Sequence, residues 1–291
     1  MKEHLKIRTL KVAGIALVCC IATLTKAQDT EGELEGKAFY DTRIVNGQSV
    51  ETNNEGVMKF IIAHRFGPVN GGGYELYGLD QSTIRLGFDY GISDNISIGI
   101  GRSSNEKTGD IFFKARLLRQ RTNGGTPISL TWFSGIAARG LKFADDARAN
   151  KFEHRLAYTY QVLVARKWND RLSTQLMPSF VHRNLVLNAG QENDLISIGA
   201  AARYVASKRF TFSIEYYHAL PDMLSDPFEN SFALGIDWET KGHVFQFHFG
   251  NSLGMTEKFF IGETRGSWAD GDVRFGFNIT RDFKIKGRKS R

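Results

Sequence analysis

Apolar and polar residues alternate strictly along residues 83–92. Ile84 falls on one face of an extended chain and Arg85 and Asp89 on the other, because successive side chains of a strand point to opposite sides. A turn cluster follows at residues 93–95, and the alternation then resumes. The pattern predicts a β-hairpin with one oily face and one face of small and charged residues.

The same alternation recurs along the rest of the chain and predicts about twelve strands. Most of them reach the roughly 9–11 residues that a strand needs to cross a bilayer at a tilt. After residue 27 the sequence shows no convincing helical period, so we expect an all-β fold. The predicted strands cover residues 57–66, 83–92, 95–103, 110–119, 128–139, 152–168, 172–187, 194–206, 209–218, 231–239, 243–251 and 272–283.

The predicted connections alternate in length, with long loops at one end of the strands and tight turns at the other. This asymmetry is typical of a transmembrane antiparallel up-and-down β-barrel with long extracellular loops and short periplasmic turns. In such a barrel the oily face contacts lipid, and the small and charged residues line the lumen. A soluble periplasmic barrel, with its oily face inside, is the alternative.

Aromatic residues favour the membrane barrel. On the oily face, most predicted strands that arrive at the short-turn end finish with an aromatic ring, and rings at one level form an interfacial girdle. Ordinary β propensity would scatter aromatic residues along the strands instead. The predicted girdle residues are Tyr90, Trp168, Tyr204, Trp238 and Phe283.

The predicted lumen carries more basic than acidic side chains. Because guanidinium groups bind carboxylate and phosphate in a bidentate manner, we expect a narrow channel for small hydrophilic solutes with a preference for anions. The alternative is a filled barrel in which these charges pair across the interior. The candidate lumen-lining residues are Lys59, Arg85, Asp89, Arg102, Lys114, Arg116, Arg155, Arg203, Glu215, Asp237 and Arg274.

The N-terminus predicts export. Basic residues precede an apolar run at residues 12–24, and Ala27 offers a small residue at the expected cleavage point. We therefore expect a signal peptide at residues 1–27 and a location in the outer membrane of a Gram-negative bacterium. An anchor helix is the alternative, but the run is shorter than the roughly 20 residues that a spanning helix needs. Cys19 and Cys20 both lie in this leader, so the mature chain would have no disulfide or thiolate metal site.

Charge and composition divide the remaining chain into three parts. The leader carries five basic residues and one acidic residue, so its removal lowers the formal net charge from +7 to +3. The remaining basic residues are scattered, which excludes a nucleic-acid partner. Residues 28–56 are polar with few apolar positions and predict a flexible periplasmic segment. Residues 57–283 form the predicted barrel, and residues 284–291 a basic C-terminal tail.

A family resemblance is carried by four stretches of the sequence. They are TRIVNGQSVETNNEGVMKFIIAHRFG, YGLDQSTIRLGFDYGISDNISIGIGRSS, ETKGHVFQFHFGNSLGMTEKFF and GDVRFGFNITRDF. These stretches resemble the bacterial family catalogued as domain of unknown function 5777, and the resemblance covers nearly all of the mature chain. It implies an outer-membrane β-barrel and brings no established activity or catalytic residues. The last strand also resembles the terminal signal that barrel assembly machinery reads, although the basic tail follows it.

The predicted strands carry little evidence of a metal site or a catalytic site. His243 and His248 lie five residues apart on opposite faces of one strand, so they cannot share a zinc ion. A lipid-facing hydrolase would need a serine beside a histidine on the outer face. Ser134 has the right parity, as have His64 and His182, but these residues lie on strands that are not adjacent. We predict no enzyme activity, no metal and no cofactor.

Three functions therefore remain in view. The channel is expected to contact outer-membrane lipid, the barrel assembly machinery and small anionic solutes. The second function is a non-conducting barrel that binds a protein partner through its loops, and the third is a lipid-modifying enzyme. The aromatic residues of the long loops suit surface binding or plugging of the lumen. They are Tyr74, Tyr77, Phe259, Phe260 and Trp268.

Overall fold

The structure, a computed structural model, describes residues 32–143, 151–186, 190–240 and 242–285. In these residues twelve antiparallel strands form one closed barrel, in which each strand pairs with its sequence neighbours and the first strand pairs with the last. The predicted twelve-stranded barrel is therefore confirmed. The strands are β1 (Val57–Pro68), β2 (Ser82–Ser93), β3 (Ile96–Ser103), β4 (Gly109–Leu118), β5 (Ser129–Ala138), β6 (Leu156–Lys167), β7 (Leu172–Arg183), β8 (Asp194–Val205), β9 (Phe210–Ala219), β10 (Ser231–Glu239), β11 (Val244–Gly250) and β12 (Arg274–Lys284).

The two faces of each strand differ sharply in exposure. On β3 the Ile100 side chain is 58% exposed, whereas on the neighbouring β2 Arg85 and Asp89 are 4% and 1% exposed. The oily face is therefore the outside of the barrel, as a membrane barrel requires. The interior-facing charges are shielded from solvent, so something must fill the lumen.

The connections divide between a long-loop end and a short-turn end. Residues 69–81, 139–155, 184–193, 220–230 and 251–273 connect strands at the long-loop end, together with the shorter 104–108. Residues 94–95, 168–171, 206–209 and 240–243 connect strands at the short-turn end, together with the longer 119–128. This last connection pairs with the N-terminal segment: Leu34 and Arg121 form a β-bridge, and the Glu35 N–H donates to Gln120 O over 2.9 Å.

The lumen is filled by residues 38–53, which we call the plug. The plug enters from the short-turn end and turns back through a small hairpin, in which the Ile44 N–H donates to Gly47 O over 2.9 Å and the Ser49 N–H to Thr42 O over 3.0 Å. Nearly every plug residue is buried. The prediction of a flexible segment at residues 28–56 is wrong for this stretch, because polar residues can be buried where the surrounding wall is polar too.

The longest loop also folds into the barrel. It contains a short helix, α1 (Glu257–Gly262), which packs against β6, β7 and β9. Phe260 of α1 is fully buried, with its ring centroid 5.2 Å from that of Tyr217 on the wall. Plug, α1 and wall together form one apolar core across the middle of the barrel. Its larger members are Phe39, Ile44, Val45, Val50, Phe112, Phe133, Leu163, Met177, Leu195, Tyr217, Phe260 and Ile261.

The chain termini lie partly outside the described residues. The predicted signal peptide at residues 1–27 lies outside them, as do residues 28–31 and residues 286–291 of the predicted tail. Within the described ranges, no helix is both long and apolar enough to cross a membrane.

Candidate functional site

Glu215 on β9 holds the tip of the plug. Its carboxylate accepts hydrogen bonds from three successive plug amides, those of Val45 (3.2 Å), Asn46 (3.2 Å) and Gly47 (2.9 Å). Hydrogen bonds to a charged acceptor are stronger than neutral ones. This one wall side chain therefore satisfies the turn of the plug hairpin, whose amides have no strand to pair with.

Amide and hydroxyl side chains of the wall bind further groups of the plug backbone. Gln175 on β7 uses both ends of its amide: its Oε1 accepts from the Val50 N–H over 2.7 Å, and its Nε2 donates to Gln48 O over 2.8 Å. The remaining contacts of this kind are Thr131 Oγ1 to Val50 O (2.7 Å), Gln246 Nε2 to Ile44 O (3.1 Å), Asn278 Nδ2 to Val45 O (3.0 Å) and the Asn53 N–H to Ser97 Oγ (3.0 Å).

Charged wall residues hold the plug at its sides. Lys59 Nζ lies 2.7 Å from Asp41 Oδ1, and Arg43 NH1 lies 3.3 Å from Asp89 Oδ2. Burial would by itself raise the pKa of Asp41, but Lys59 and the hydroxyl of Thr280 lower it to about 2. Asp41 is therefore ionised at neutral pH and locks the plug at the short-turn end.

Further basic side chains contact the plug directly. Arg65 donates through NH2 to Asn46 Oδ1 over 2.9 Å. Lys114 donates to Thr42 O over 3.3 Å, Arg203 to Ala38 O over 2.9 Å, and Arg116 lies 3.9 Å from Glu51 and hydrogen-bonds Thr52. Four of the basic side chains that sequence analysis assigned to an open lumen, Lys59, Lys114, Arg116 and Arg203, therefore bind the plug, whereas Arg85 pairs with Asp110 of the wall.

Small wall residues leave the space that the plug occupies. A Cβ added to Gly235 on β10 would lie 3.1 Å from Val45 Cγ2. On the plug itself, a Cβ added to Gly47 would lie only 2.3 Å from the Tyr217 hydroxyl. The plug and the wall are thus fitted to each other at van der Waals contact.

Cavities lie on either side of this closed middle. One of about 560 Å³ opens at the short-turn end beside Lys37 and His243, and one of about 320 Å³ opens at the long-loop end beside Arg265 and Arg274. A cavity of about 10 Å³ beside Gln48 has room for at most one water molecule. The barrel therefore has two vestibules separated by the plug and α1.

Sequence similarity to a protein family covers both the plug and the barrel. A family model described as a membrane-bound β-barrel domain (DUF5777) matches residues 39–283. The chain belongs to this family. The resemblance seen in the sequence is confirmed, and the match extends over the plug from Phe39 onward. No curated protein matches the sequence of this DUF5777 barrel.

Three solved structures are similar to the DUF5777 barrel. An outer membrane channel of Pseudomonas putida F1 has a TM-score of 0.50 and 14% identity, over 80% of this chain and 98% of that chain. The NanC porin has a TM-score of 0.48 and 9% identity, over 78% of this chain and 100% of that chain. The outer membrane phospholipase A of Escherichia coli has a TM-score of 0.45 and 10% identity, over 90% of this chain and 96% of that chain. At 14% identity, the similarity to the P. putida channel shows the fold alone.

Nine of the candidate lumen residues of this DUF5777 barrel face its interior, namely Lys59, Arg85, Asp89, Lys114, Arg116, Arg203, Glu215, Asp237 and Arg274. Two do not. Arg102 lies exposed on the outer face, because it pairs with Leu86 and shares the parity of Ile100. Arg155 ends a 3-10 turn before β6 and donates to the Arg139 carbonyl over 3.1 Å. The prediction is wrong for both.

The predicted girdle residues lie on the outer surface toward the short-turn end. Trp168, Tyr204, Trp238 and Phe283 are exposed, and Tyr90 is half-buried. Arg166 lies over the Trp168 ring at 4.4 Å, and Arg281 lies over the Phe283 ring at 5.2 Å. Their role at a membrane interface stays a prediction.

The outer face brings one acid and one histidine together. His182 Nδ1 lies 2.5 Å from Asp194 Oδ1. Ser134, the serine considered for a hydrolase, lies on β5, and β6 separates it from β7, which carries His182. Ser134 is therefore not next to the His182–Asp194 pair. In the described ranges, no group of three or more metal-ligating side chains comes together.

Sequence reasoning missed the partners of the plug. Gln175, Gln246 and Asn278 were not singled out, because uncharged amides carry no distinctive spacing. The plug did carry one usable signal, since Asn46-Gly47 is a dipeptide that favours hairpins and is flanked by Ile44 and Val45 on one side and Val50 on the other.

Proposed function

We propose that this protein is an outer-membrane channel that is closed at rest by its own N-terminal plug and conducts small hydrophilic solutes when the plug leaves. The observation that carries the proposal is how the barrel wall and the plug together fill the lumen. The middle of the lumen is filled by a separate segment together with wall side chains such as Phe133, and small wall residues such as Gly235 leave room for Val45 of that segment. A segment can move, whereas wall side chains cannot leave the barrel.

Apolar contacts of Ile44, Val45 and Val50 hold the plug in the core, and water cannot replace them, but the polar contacts between plug and wall are of a kind that water can replace. Most are hydrogen bonds from wall side chains to plug backbone groups, each with a net contribution of about 0.5–1.5 kcal/mol. After release, Gln175, Thr131 and Asn278 would line a polar passage and hydrogen-bond to water. The wall is therefore compatible with both a plugged and a hydrated state.

Release of the plug would also change the charge of the lumen. Asp41, Glu51 and Arg43 would leave with the plug, a net loss of one negative charge, while Lys59 and Arg116 would stay on the wall. Lys59 would keep Asp282, 2.7 Å away, as a partner, whereas Arg116 would lose Glu51, and a guanidinium group without a carboxylate partner attracts anions. This supports a preference for anionic solutes in the open state.

The setting of the proposed channel is the outer membrane of a Gram-negative bacterium, after removal of the leader near Ala27. The exposed apolar face of the strands would contact membrane lipid. Insertion would use the barrel assembly machinery, with β12 and its Phe283 at the end of the barrel as the recognised strand.

The proposal is tested by single-channel conductance in planar bilayers with Glu215→Gln. The carboxamide cannot accept all three plug amides, so the plug should be held about tenfold less tightly and the open probability should rise accordingly. Asp237→Asn is the matched control, because it removes one lumen charge at a residue that bonds Gln246 of the wall. Equal open probabilities in the two variants would contradict a plug-gated channel.

A non-conducting barrel is the second candidate function. The apolar core favours it, since Phe133, Leu163 and Phe260 are fully buried across the middle of the barrel. In that case the exposed Tyr74 and Tyr77 of the first long loop are the residues most available to a protein partner. Silence of Glu215→Gln, in protein whose plug amides exchange rapidly with solvent, would favour this function over the channel.

A further inference from the structure

The vestibule at the long-loop end is lined by charged side chains of both signs. Its lining includes two acids, Glu106 and Glu263, and two arginines, Arg265 and Arg274. Phe228 and Phe259 form apolar parts of the vestibule lining. The volume of about 320 Å³ is at the lower end of the size of small-molecule sites.

The two acids are already neutralised by neighbouring cations. Lys258 of α1 bridges them, with Nζ 3.2 Å from Glu106 Oε2 and 3.1 Å from Glu263 Oε2. Arg139 Nε lies 3.3 Å from Glu106, and Arg183 NH1 lies 3.6 Å from Glu263. Three cations thus surround two carboxylates, so the acids leave no net negative charge in the vestibule.

The two arginines are not paired in this way. Among the described residues, Arg274 forms no ion pair; its Nε is buried without a hydrogen-bond partner, and its NH1 makes one 3.4 Å contact with Phe66 O. Asp272 lies nearby, but it accepts hydrogen bonds from the Ser267 N–H (3.2 Å) and from Asn70 Nδ2 (2.8 Å). Arg274 therefore carries donors that no protein group in the described ranges satisfies.

Arg265 is held in place by an aromatic ring. Its guanidinium carbon lies 5.6 Å from the centroid of the Phe228 ring, and Phe228 is itself buried. A cation over a ring keeps its in-plane N–H donors free to bind an oxygen ligand. Arg265 and Arg274 thus supply two oriented guanidinium groups to one cavity.

We infer that this vestibule is a binding site for a small anionic solute of about monosaccharide size, which Arg265 and Arg274 hold by a carboxylate or a phosphate group. Guanidinium groups bind both anions through paired hydrogen bonds. The inference rests on the proposed function for its role, since the site would be where a solute meets the closed channel. Binding itself can be measured without conductance.

The test is isothermal titration calorimetry of the refolded mature protein in detergent, with three probes. Glucuronate carries a carboxylate, glucose 6-phosphate carries a phosphate, and glucose is their uncharged counterpart. At least one anion should bind about tenfold more tightly than glucose. The tighter anion identifies the group that the site accepts. Binding of neither anion, or equal binding of glucose, would overturn the inference.

Variants locate the site. Arg265→Gln and Arg274→Gln should each weaken anion binding by about tenfold. The matched control is Arg102→Gln, which removes an exposed arginine from the outer face near the same end and should leave binding unchanged. Equal binding by all three variants would overturn the site.

The outcomes separate this site from the proposed channel. Anion binding in a protein whose Glu215→Gln variant never conducts would refute the channel and keep the site. Conductance by that variant without anion binding would refute the site and keep the channel. Heat-modifiable migration on gels shows that each variant is a folded barrel before it is titrated.

Discussion

The side-chain amide of Gln48 donates a hydrogen bond to Glu257 Oε1 over 2.8 Å inside the barrel. Gln48 belongs to the plug, which enters from the short-turn end, and Glu257 belongs to α1, which descends from the long-loop end. The two inserted segments thus meet and close the lumen together. In the proposed channel this contact breaks when the plug leaves.

A double-mutant cycle measures this contact. Gln48→Ala, Glu257→Ala and the double variant should show a coupling of about 1 kcal/mol in the free energy of unfolding in urea, the usual net contribution of one hydrogen bond. Additive effects of the two substitutions would show that plug and α1 are held independently.

Because the plug tip fits closely against the wall, we expect one methyl group added at Gly47 to disturb the plug strongly. Gly47→Ala would place a Cβ 2.3 Å from the Tyr217 hydroxyl, so the tip or the Tyr217 ring must shift. Amide hydrogen exchange of residues 44–50 should accelerate by about tenfold, because overpacking costs at least about 1 kcal/mol. Gly73→Ala is the control, since a Cβ there meets nothing within 4 Å and exchange of the plug should not change.

The ion pair at the base of the plug predicts a pH dependence. The pKa of Asp41 falls from 3.8 to about 2 in the folded protein, because Lys59 and Thr280 favour the carboxylate despite its burial. A lowered folded-state pKa gives stability that is complete above pH 4 and is lost as the pH falls toward 2, and it amounts to about 2 kcal/mol.

Asp41→Asn should remove this dependence. The free energy of unfolding, measured between pH 5 and pH 2 in detergent, should fall less steeply for the variant than for the wild type. Parallel curves for the two proteins would refute the role of Asp41 as an anchor of the plug.

Because Phe260 packs the longest loop into the core, we expect its substitution to release this loop from the lumen while the barrel stays folded. Phe260→Ala removes a fully buried ring from α1 and should cost about 3–5 kcal/mol of packing. Limited proteolysis should then cut within residues 252–271, while the barrel keeps its heat-modifiable migration. Tyr74→Ala, at a ring that is 96% exposed, is the matched control and should leave the cleavage pattern unchanged.

The side of the barrel that each wall residue faces can be predicted from the sequence, because the alternation of side chains along a strand has one physical cause. Arg85 and Asp89 alternate with outward apolar residues, so their facing follows from the pleat alone. The wrong prediction for Arg102 departed from this rule: strict parity places Arg102 outside with Ile100, not inside with Gly101. Arg155 precedes its strand, where parity does not apply.

The plug could not be found in this way. Its residues are polar, and a polar segment resembles a flexible one unless the wall that satisfies it is known. Gln175 and Glu215 are more than a hundred residues away in sequence from the amides that they bind. The aromatic pair Phe259 and Phe260 was a clearer signal, because two adjacent large rings in a polar loop are costly to leave in water.

The central claim is that the plug closes the passage and can leave it, and a reversible disulfide tests this most directly. Both natural cysteines lie in the predicted leader, so a mature chain with Val45→Cys and Gly235→Cys carries only the introduced pair. A Cβ at Gly235 would lie 3.1 Å from Val45 Cγ2, a closeness that suits a disulfide with Cβ atoms about 3.5–4.5 Å apart.

The measurement is single-channel conductance of this pair in the Glu215→Gln background, before and after addition of a reductant, with each single cysteine as a control. We expect silence from the oxidised protein, conductance steps after reduction, and no effect of the reductant on either control. Conductance that persists with the disulfide formed would contradict the account, because the solute path would then bypass the plug.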